Sequence, residues 1–234
     1  MTAPDSVALI ADQIAYYRAR AGEYDATMRQ LGRYVSMGGS VAGQPGDEEG
    51  REVAVLLEAL EGMRPFDTVL ELACGTGWWT QWLAQHARHV TAVDAAQEML
   101  ALNRERVHAG NVRYLLADVF SWKPDRQFDL VFFAFWLSHI PHDRFAGFWQ
   151  LVRDSLTANG RVVFVDELDT ERAHGQETRV DDDAVLRELE DGRQFRAVKV
   201  FYQPAELEAK LRLLGWNVEV HPAGQRFYWG QATP

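Results

Sequence analysis

The chain has 234 residues, 47% hydrophobic and 25% charged, the composition of one globular unit with small additions. A net charge of −10 argues against nucleic acid or an anionic membrane as the main partner, and no apolar run approaches the roughly 18 residues of a membrane span. With Cys74 as the one cysteine no intrachain disulfide forms, and MTAPDSVALIADQ lacks the basic-then-apolar pattern of a signal peptide, so a cytoplasmic protein is expected.

Residues 6 to about 30 read as one or two helices, with Val7, Ile10, Ile14 and Tyr17 at helical spacing. Ser36 to Gly50 is rich in glycine and reads as a loop, and Asp47–Leu60 returns to helix. Strands and helices then alternate: strand Thr68–Leu72, helix Gly77–His86, strand His89–Val93, helix Ala96–Val107, strand Val112–Leu116. Phe128–Phe135 is apolar after Asp129, as a strand buried on both faces should be. Arg144–Leu156 reads as a helix stopped by Asn159-Gly160, followed by strand Arg161–Val165. The polar stretch Asp169–Asp191 is expected to be an exposed excursion, part helix. Phe195–Tyr202 reads as a strand, and Pro204 opens a helix that Gly215 ends. Trp216–Val220 and Arg226–Gly230 form a terminal antiparallel hairpin. The alternation predicts an α/β fold with a mostly parallel sheet and helices on both faces.

Ligands of open parallel sheets bind beyond the carboxyl ends of the strands. Cys74-Gly-Thr-Gly77 stands at such an end, where glycine permits unusual backbone angles and the next helix offers free N–H groups. Asp94 closes the second strand and suits a ribose diol. Asp118 follows the third, placed to accept from an exocyclic adenine amine, with Met99, Val119 and Phe120 as apolar walls. Each acid alone fits a cap or a turn; together they describe a nucleoside cradle. A pyrophosphate is disfavoured, because Thr80 replaces the third glycine of G-x-G-x-x-G and Glu71 stands close by. Glu71 suits a ligand with an ammonium and a sulfonium.

These motifs together resemble the class I S-adenosylmethionine-dependent methyltransferases, over roughly Tyr16 to Val165. LELACGTG resembles the first motif, with Glu71, Ala73, Gly75 and Gly77; the family often has glycine where Ala73 stands. VTAVDAAQEML resembles the second, which implies Asp94 on the ribose, Ala95 in the cofactor site and Met99 beside adenine, and ADVF resembles the adenine-edge motif with Asp118. FDLVFFAFWLSHIP resembles the fourth-strand segment, which implies Phe135 near the methionine end and His139 where many small-molecule members have histidine. YYRARAGEYD looks like the lid helix of such members, with Tyr17 and Arg18 over the cofactor. The resemblance implies a Rossmann-like seven-stranded sheet whose last strand is antiparallel. It divides the chain into a helical lid over residues 1–50 and the methyltransferase domain over 51–234.

S-adenosylmethionine is therefore the expected cofactor and S-adenosylhomocysteine the product. Methyl transfer from a sulfonium is an in-line displacement, and a base matters only for an acceptor with a proton of high pKa. His139 is the candidate base, with a core position bonded to backbone as the competing reading. Asp166 and Glu167 end the fifth strand and either face the acceptor or form a solvated turn. Tyr34, Met37, Trp136 and Tyr202 are candidate acceptor walls, and Arg196 or Lys199 a contact to an acidic acceptor or part of a solvated face. The seven histidines show no paired ligand spacing, so no metal is expected. The acceptor is expected to be a small molecule, an aromatic or terpenoid-like secondary metabolite, and the protein a monomer or homodimer. Two alternatives are a protein of the same fold that binds the cofactor without methyl transfer, and an NAD(P)-dependent oxidoreductase.

Overall fold

The computed structural model describes residues 6–30, 48–170 and 178–234. Helices α1 (Ser6–Gln30) and α2 (Glu48–Glu61) precede β1 (Phe66–Leu72), α3 (Trp78–His86), β2 (Ala87–Asp94), α4 (Gln97–Arg106) and β3 (Val112–Leu116). Then come β4 (Phe128–Ala134), α5 (Phe145–Ser155), β5 (Leu156–Glu167), three short strands β6 (Thr178–Arg179), β7 (Ala184–Glu188) and β8 (Gln194–Val198), α6 (Pro204–Leu213), β9 (Asn217–Ala223) and β10 (Phe227–Thr233).

Seven strands form one sheet in the order β3-β2-β1-β4-β5-β10-β9. Strands β1 to β5 run parallel, while β10 pairs antiparallel with both β5 and β9. The order reverses between β1 and β4, and the crevice above such a reversal is where α/β sheets bind ligands. Successive side chains of β4 and β5 leave opposite faces. Val131, Phe133, Val162 and Phe164 meet Phe148, Trp149 and Val152 of α5 and Leu207 and Leu211 of α6. Leu130, Phe132, Val163 and Val165 meet Leu60 of α2 and Trp79, Trp82 and Leu83 of α3. Both faces being covered accounts for the apolar run of β4.

Two expectations need correction. Strand β5 begins at Leu156 rather than at Arg161, so Asn159-Gly160, expected to stop the helix ahead of the strand, lie inside the strand, and helix α5 ends at Ser155. The register shift between Phe128 and Leu130 accommodates the longer strand. The excursion after Asp169 carries strand rather than helix among its described residues: β6, β7 and β8 form a separate antiparallel sheet. Its β7 and β8 bury Val185 and Ala197 against Tyr16 of α1, which ties α1 to this sheet.

Candidate active site

The loop from β1 to α3 is built on left-handed backbone. Ala73, Gly75 and Gly77 have φ of 52°, 53° and 92°. A side chain at Gly75 would meet no protein atom within 4 Å, and Gly75 lines the cavity, so the missing Cβ leaves room that a ligand can take. Gly77 has a different reason to be glycine. A Cβ there would stand 2.5 Å from Asn103 Oδ1. Asn103 is fully buried and its Nδ2 donates to the Gly75 carbonyl (3.2 Å) and to Thr80 Oγ1 (2.8 Å). Gly77 thus admits the side chain that pins the turn, although it also borders an adjoining crevice with Glu71, Ala73 and Gly75.

The cavity lies over the carboxyl ends of β1, β2 and β4 and is roofed by α1. Asp94 lines it, with Oδ2 accepting from the Gly75 N–H (2.9 Å) and Oδ1 from the Ala96 N–H (2.9 Å). The backbone thereby orients the carboxylate, and each oxygen keeps a lone pair for a diol. Ala95, Met99, Asp118, Val119 and Phe120 line the same wall, with Asp118 Oδ1 held by the Phe120 N–H (3.0 Å). Glu71 lies a layer deeper, 2% exposed, accepting from Thr80 Oγ1 at 2.6 Å. Burial pushes its carboxyl up to about 8, against the Thr80 hydrogen bond and with help from Asp94. A cation bound above would draw it back to the ionised form. An acid held by two backbone N–H groups, an apolar wall, bare backbone at Gly75 and a deeper buried acid are features that a cationic nucleoside such as S-adenosylmethionine would fit.

Helix α1 reaches both ends of this cavity. Tyr17 and Tyr24 line it, whereas Arg18 turns away and pairs with Glu98 at 3.2 Å on the exposed side. Asp25 accepts from Thr76 Oγ1 (2.7 Å), from Trp78 Nε1 (3.3 Å) and from Arg106. Arg106 also donates to the Thr76 carbonyl at 2.6 Å. The helix is thus tied directly to the glycine turn.

At the far end, β4 runs into Phe135, at φ 55°, and the short helical turn Leu137–His139. Phe135, Trp136 and His139 line the cavity beside Gln13, Ile14 and Tyr17. Among the described residues, Trp136 Nε1 is buried without an acceptor. His139 Nδ1 binds the Val198 carbonyl (2.7 Å), as a core position bonded to backbone would, and its Nε2 meets Tyr17 Oη (3.1 Å) at the cavity wall. Burial holds its imidazolium well below the usual range, and Lys199, Arg187 and Arg20 add to that, against the Val198 bond.

Other candidates stand away from the cavity. Asp166 is buried under the turn, its carboxylate accepting from the Ser138 and Glu167 N–H groups at 2.8 Å each. Glu167 forms a buried ion pair with Lys199 at 3.0 Å. Tyr202 packs in the core with Phe145. Arg196 pairs with Asp12 at 2.7 Å at the surface. Tyr34 and Met37 lie outside the described residues. Gln13, Tyr24, Asp25 and Arg187 were not singled out from the sequence. Gln13 had a signal, as a polar residue on the buried face of α1 between Ile10 and Tyr17; the others had none. Among the described residues no three His, Cys, Asp or Glu side chains gather into a metal cluster, and no helix is long and apolar enough to cross a membrane.

Residues 69–160 match a family model described as a methyltransferase domain. The solved structure titled DhpI-SAM-HEP complex is 42% identical to this chain, covers 97% of it and 98% of its own length, and superposes with a TM-score of 0.80. The DhpI-SAH complex gives 41% identity, 97% coverage of both chains and a TM-score of 0.78. Malonyl-[acyl-carrier protein] O-methyltransferase of Pectobacterium atrosepticum is 40% identical over 30% of this chain. The ubiquinone/menaquinone biosynthesis C-methyltransferase UbiE of Ectopseudomonas mendocina is 36% identical over 36% of it. The chain spans about a quarter and about a third of the length of these two curated relatives.

Proposed function

Because this chain belongs to the S-adenosylmethionine-dependent methyltransferases, we propose that it methylates a small organic acid, lodged between α1 and the turn after β4. The observation that carries the reading is the polar end of the cavity, where His139, Tyr17 and Gln13 meet. S-adenosylmethionine supplies an activated methyl group; the chain's own residues orient the acceptor and exclude water. Such positioning is worth roughly 7–11 kcal/mol of a bimolecular barrier.

The acceptor class follows from the polar groups at this end. Arg187 Nη1 donates to Tyr17 Oη at 3.1 Å, while Lys199 is already paired with the buried Glu167 at 3.0 Å. Trp136 brings an indole N–H that needs an acceptor. This environment favours an acceptor carrying an acidic O–H, and the rings of Tyr17, Tyr24, Phe120 and Trp136 give an aromatic acid flat walls. A terpenoid without a polar acceptor group leaves the Trp136 N–H unsatisfied, at a cost of about 1–3 kcal/mol. The DhpI complex with both SAM and HEP supports room for two ligands in a site of this kind. An acid enters ionised, so in this reading His139 orients the acceptor through Tyr17 rather than taking a proton from it.

The test is calorimetric titration with S-adenosylhomocysteine, with NADH in parallel, followed by label transfer from methyl-labelled S-adenosylmethionine to a panel of carboxylic acids, phenols and amines. Micromolar binding of S-adenosylhomocysteine and label on an acid are expected. Label confined to amines would refute the acidic acceptor. Tight cofactor binding with no label on any class would favour a cofactor-binding protein without transfer.

A further inference from the structure

A second hollow, a groove, runs along the outer side of α5. Arg144, Gly147, Leu151 and Asp154 form one wall, and the segment Trp122-Lys123-Pro124 after β3 forms the other. Val119 and Phe120 line both this groove and the cavity, so the two hollows share a wall. Trp122 and Leu151 are only half-buried, which leaves apolar surface in the groove. The four residues on the α5 side are spaced three, four and three apart and so form one stripe. The stripe is distinct from the side of α5 that packs Trp149 and Val152 into the core.

Gly147 is the unexpected residue in that stripe. Its backbone lies outside the left-handed region, and a Cβ added there would meet no atom within 4 Å. Nothing among the described residues requires glycine at this position, and glycine weakens a helix relative to alanine. What it provides is a hole in the helix surface, one turn before the projecting Leu151. The ends of the stripe are oppositely charged. Arg144 donates through Nε to Ser6 Oγ (3.0 Å), and its guanidinium has further N–H groups to offer. Asp154 Oδ1 accepts from Gln150 Nε2 (2.8 Å), and the second carboxylate oxygen can accept as well.

We propose that this face is the interface of a two-fold homodimer. A two-fold axis at right angles to α5 sets the helix antiparallel to its copy, with the same patch on both sides. Arg144 and Asp154 lie five residues either side of Trp149, and Gly147 and Leu151 lie two either side of it. One register therefore serves both pairs. With the axis at the level of Trp149, Arg144 faces the partner's Asp154 and Gly147 faces the partner's Leu151. Each leucine enters the hole over a glycine, and each α5 fills the groove between the partner's helix and loop. Symmetry makes every contact twice. A net charge of −10 opposes association of two copies in general, so the two ion pairs also select this face over others. One short helix and one loop from each copy make a contact at the small end of protein interfaces, so a dimer of micromolar affinity is expected. The proposal does not depend on which acceptor is methylated.

Sedimentation velocity of the full chain, from submicromolar to submillimolar concentration, should show a monomer passing into a dimer. Gly147→Leu fills the hole. Because that position is open within one copy, the variant should melt no lower than the wild type yet sediment as a monomer throughout. Arg144→Asp and Asp154→Arg should each weaken the dimer by at least about tenfold, since each sets like charges face to face. The variant carrying both changes again places opposite charges across the axis and should recover most of the affinity. Melting temperatures check that each variant keeps its fold. A monomer at every concentration would overturn the proposal and leave the groove to a different partner. A dimer that Gly147→Leu leaves intact would place the interface elsewhere. Failure of the double charge swap to recover affinity in a normally folded protein would overturn the antiparallel pairing.

Discussion

Ala73 and Phe135 are mirrored positions on adjacent strands: each is the first residue beyond its strand, β1 or β4, and each holds a positive φ, 52° and 55°. Both line the cavity. Left-handed backbone at a non-glycine residue costs roughly 1–2 kcal/mol. Two such residues at the reversal of strand order mark where the chain is bent to open the crevice.

Ala73→Gly should be close to neutral for stability, since relief of the left-handed strain offsets the roughly 0.4–1 kcal/mol that glycine adds to unfolded-chain entropy. Ala73→Val should cost about 1–3 kcal/mol, because a β-branched side chain tolerates that region worst. Urea denaturation of the two variants measures the difference, and equal stabilities would show that the strain is not real.

Gly75 and Gly77 should part company. Gly75→Ala should cost about 1–2 kcal/mol of stability from its backbone but reduce S-adenosylhomocysteine affinity by at least about tenfold, because the added Cβ enters the space beside Asp94. Gly77→Ala drives a methyl into Asn103 and should be the less stable of the two. Thermal melts and calorimetry on both variants decide it; Gly75→Ala with full affinity would remove the ligand from that face of the turn.

Glu71 makes the protein's stability fall with rising pH. Its carboxyl stands at about 8 when folded, against 4.5 as a free side chain. Between those values the folded state holds a proton that the unfolded state has lost, so the contribution is complete below about 4.5 and is lost as pH rises through about 8. Glu71→Gln keeps an acceptor for Thr80 and should flatten this part of the stability curve. At pH 7, S-adenosylhomocysteine, which carries an ammonium, should release a proton on binding to the wild type and not to the variant. Calorimetry in buffers of different ionisation enthalpy reads that proton directly.

Asp25 ties α1 to the cofactor turn through Thr76, Trp78 and Arg106. Asp25→Ala should leave the fold intact and speed S-adenosylhomocysteine release by about tenfold, in line with the roughly 1.5–3 kcal/mol typical of charged hydrogen bonds. Stopped-flow tryptophan fluorescence, with Trp78 at the junction, follows it. An unchanged release rate would mean that α1 does not govern exit.

Most of the sheet was legible because its signals are local. The apolar runs of β1 and β4, the glycines between β1 and α3, and the acids Asp94 and Asp118 at strand ends each declare themselves within a few residues. The later segment was harder. Strand β7 buries Ala184 and Val185 in a stretch whose acids hid its pattern, and Asp166, Glu167 and Lys199 are ordinary charged residues until the fold puts them out of water.

By itself, then, the sequence determined the α/β alternation and the glycine turn and acids at the strand ends, because strand period and turn chemistry act over short range. Only the tertiary structure decided that Gly77 serves Asn103, that Asp25 latches α1 to the turn, and that Tyr17 stands between His139 and Arg187. The contacts among these last three span 122 and 170 residues of chain, and no local pattern encodes a hydrogen bond whose partners meet only after the sheet has closed.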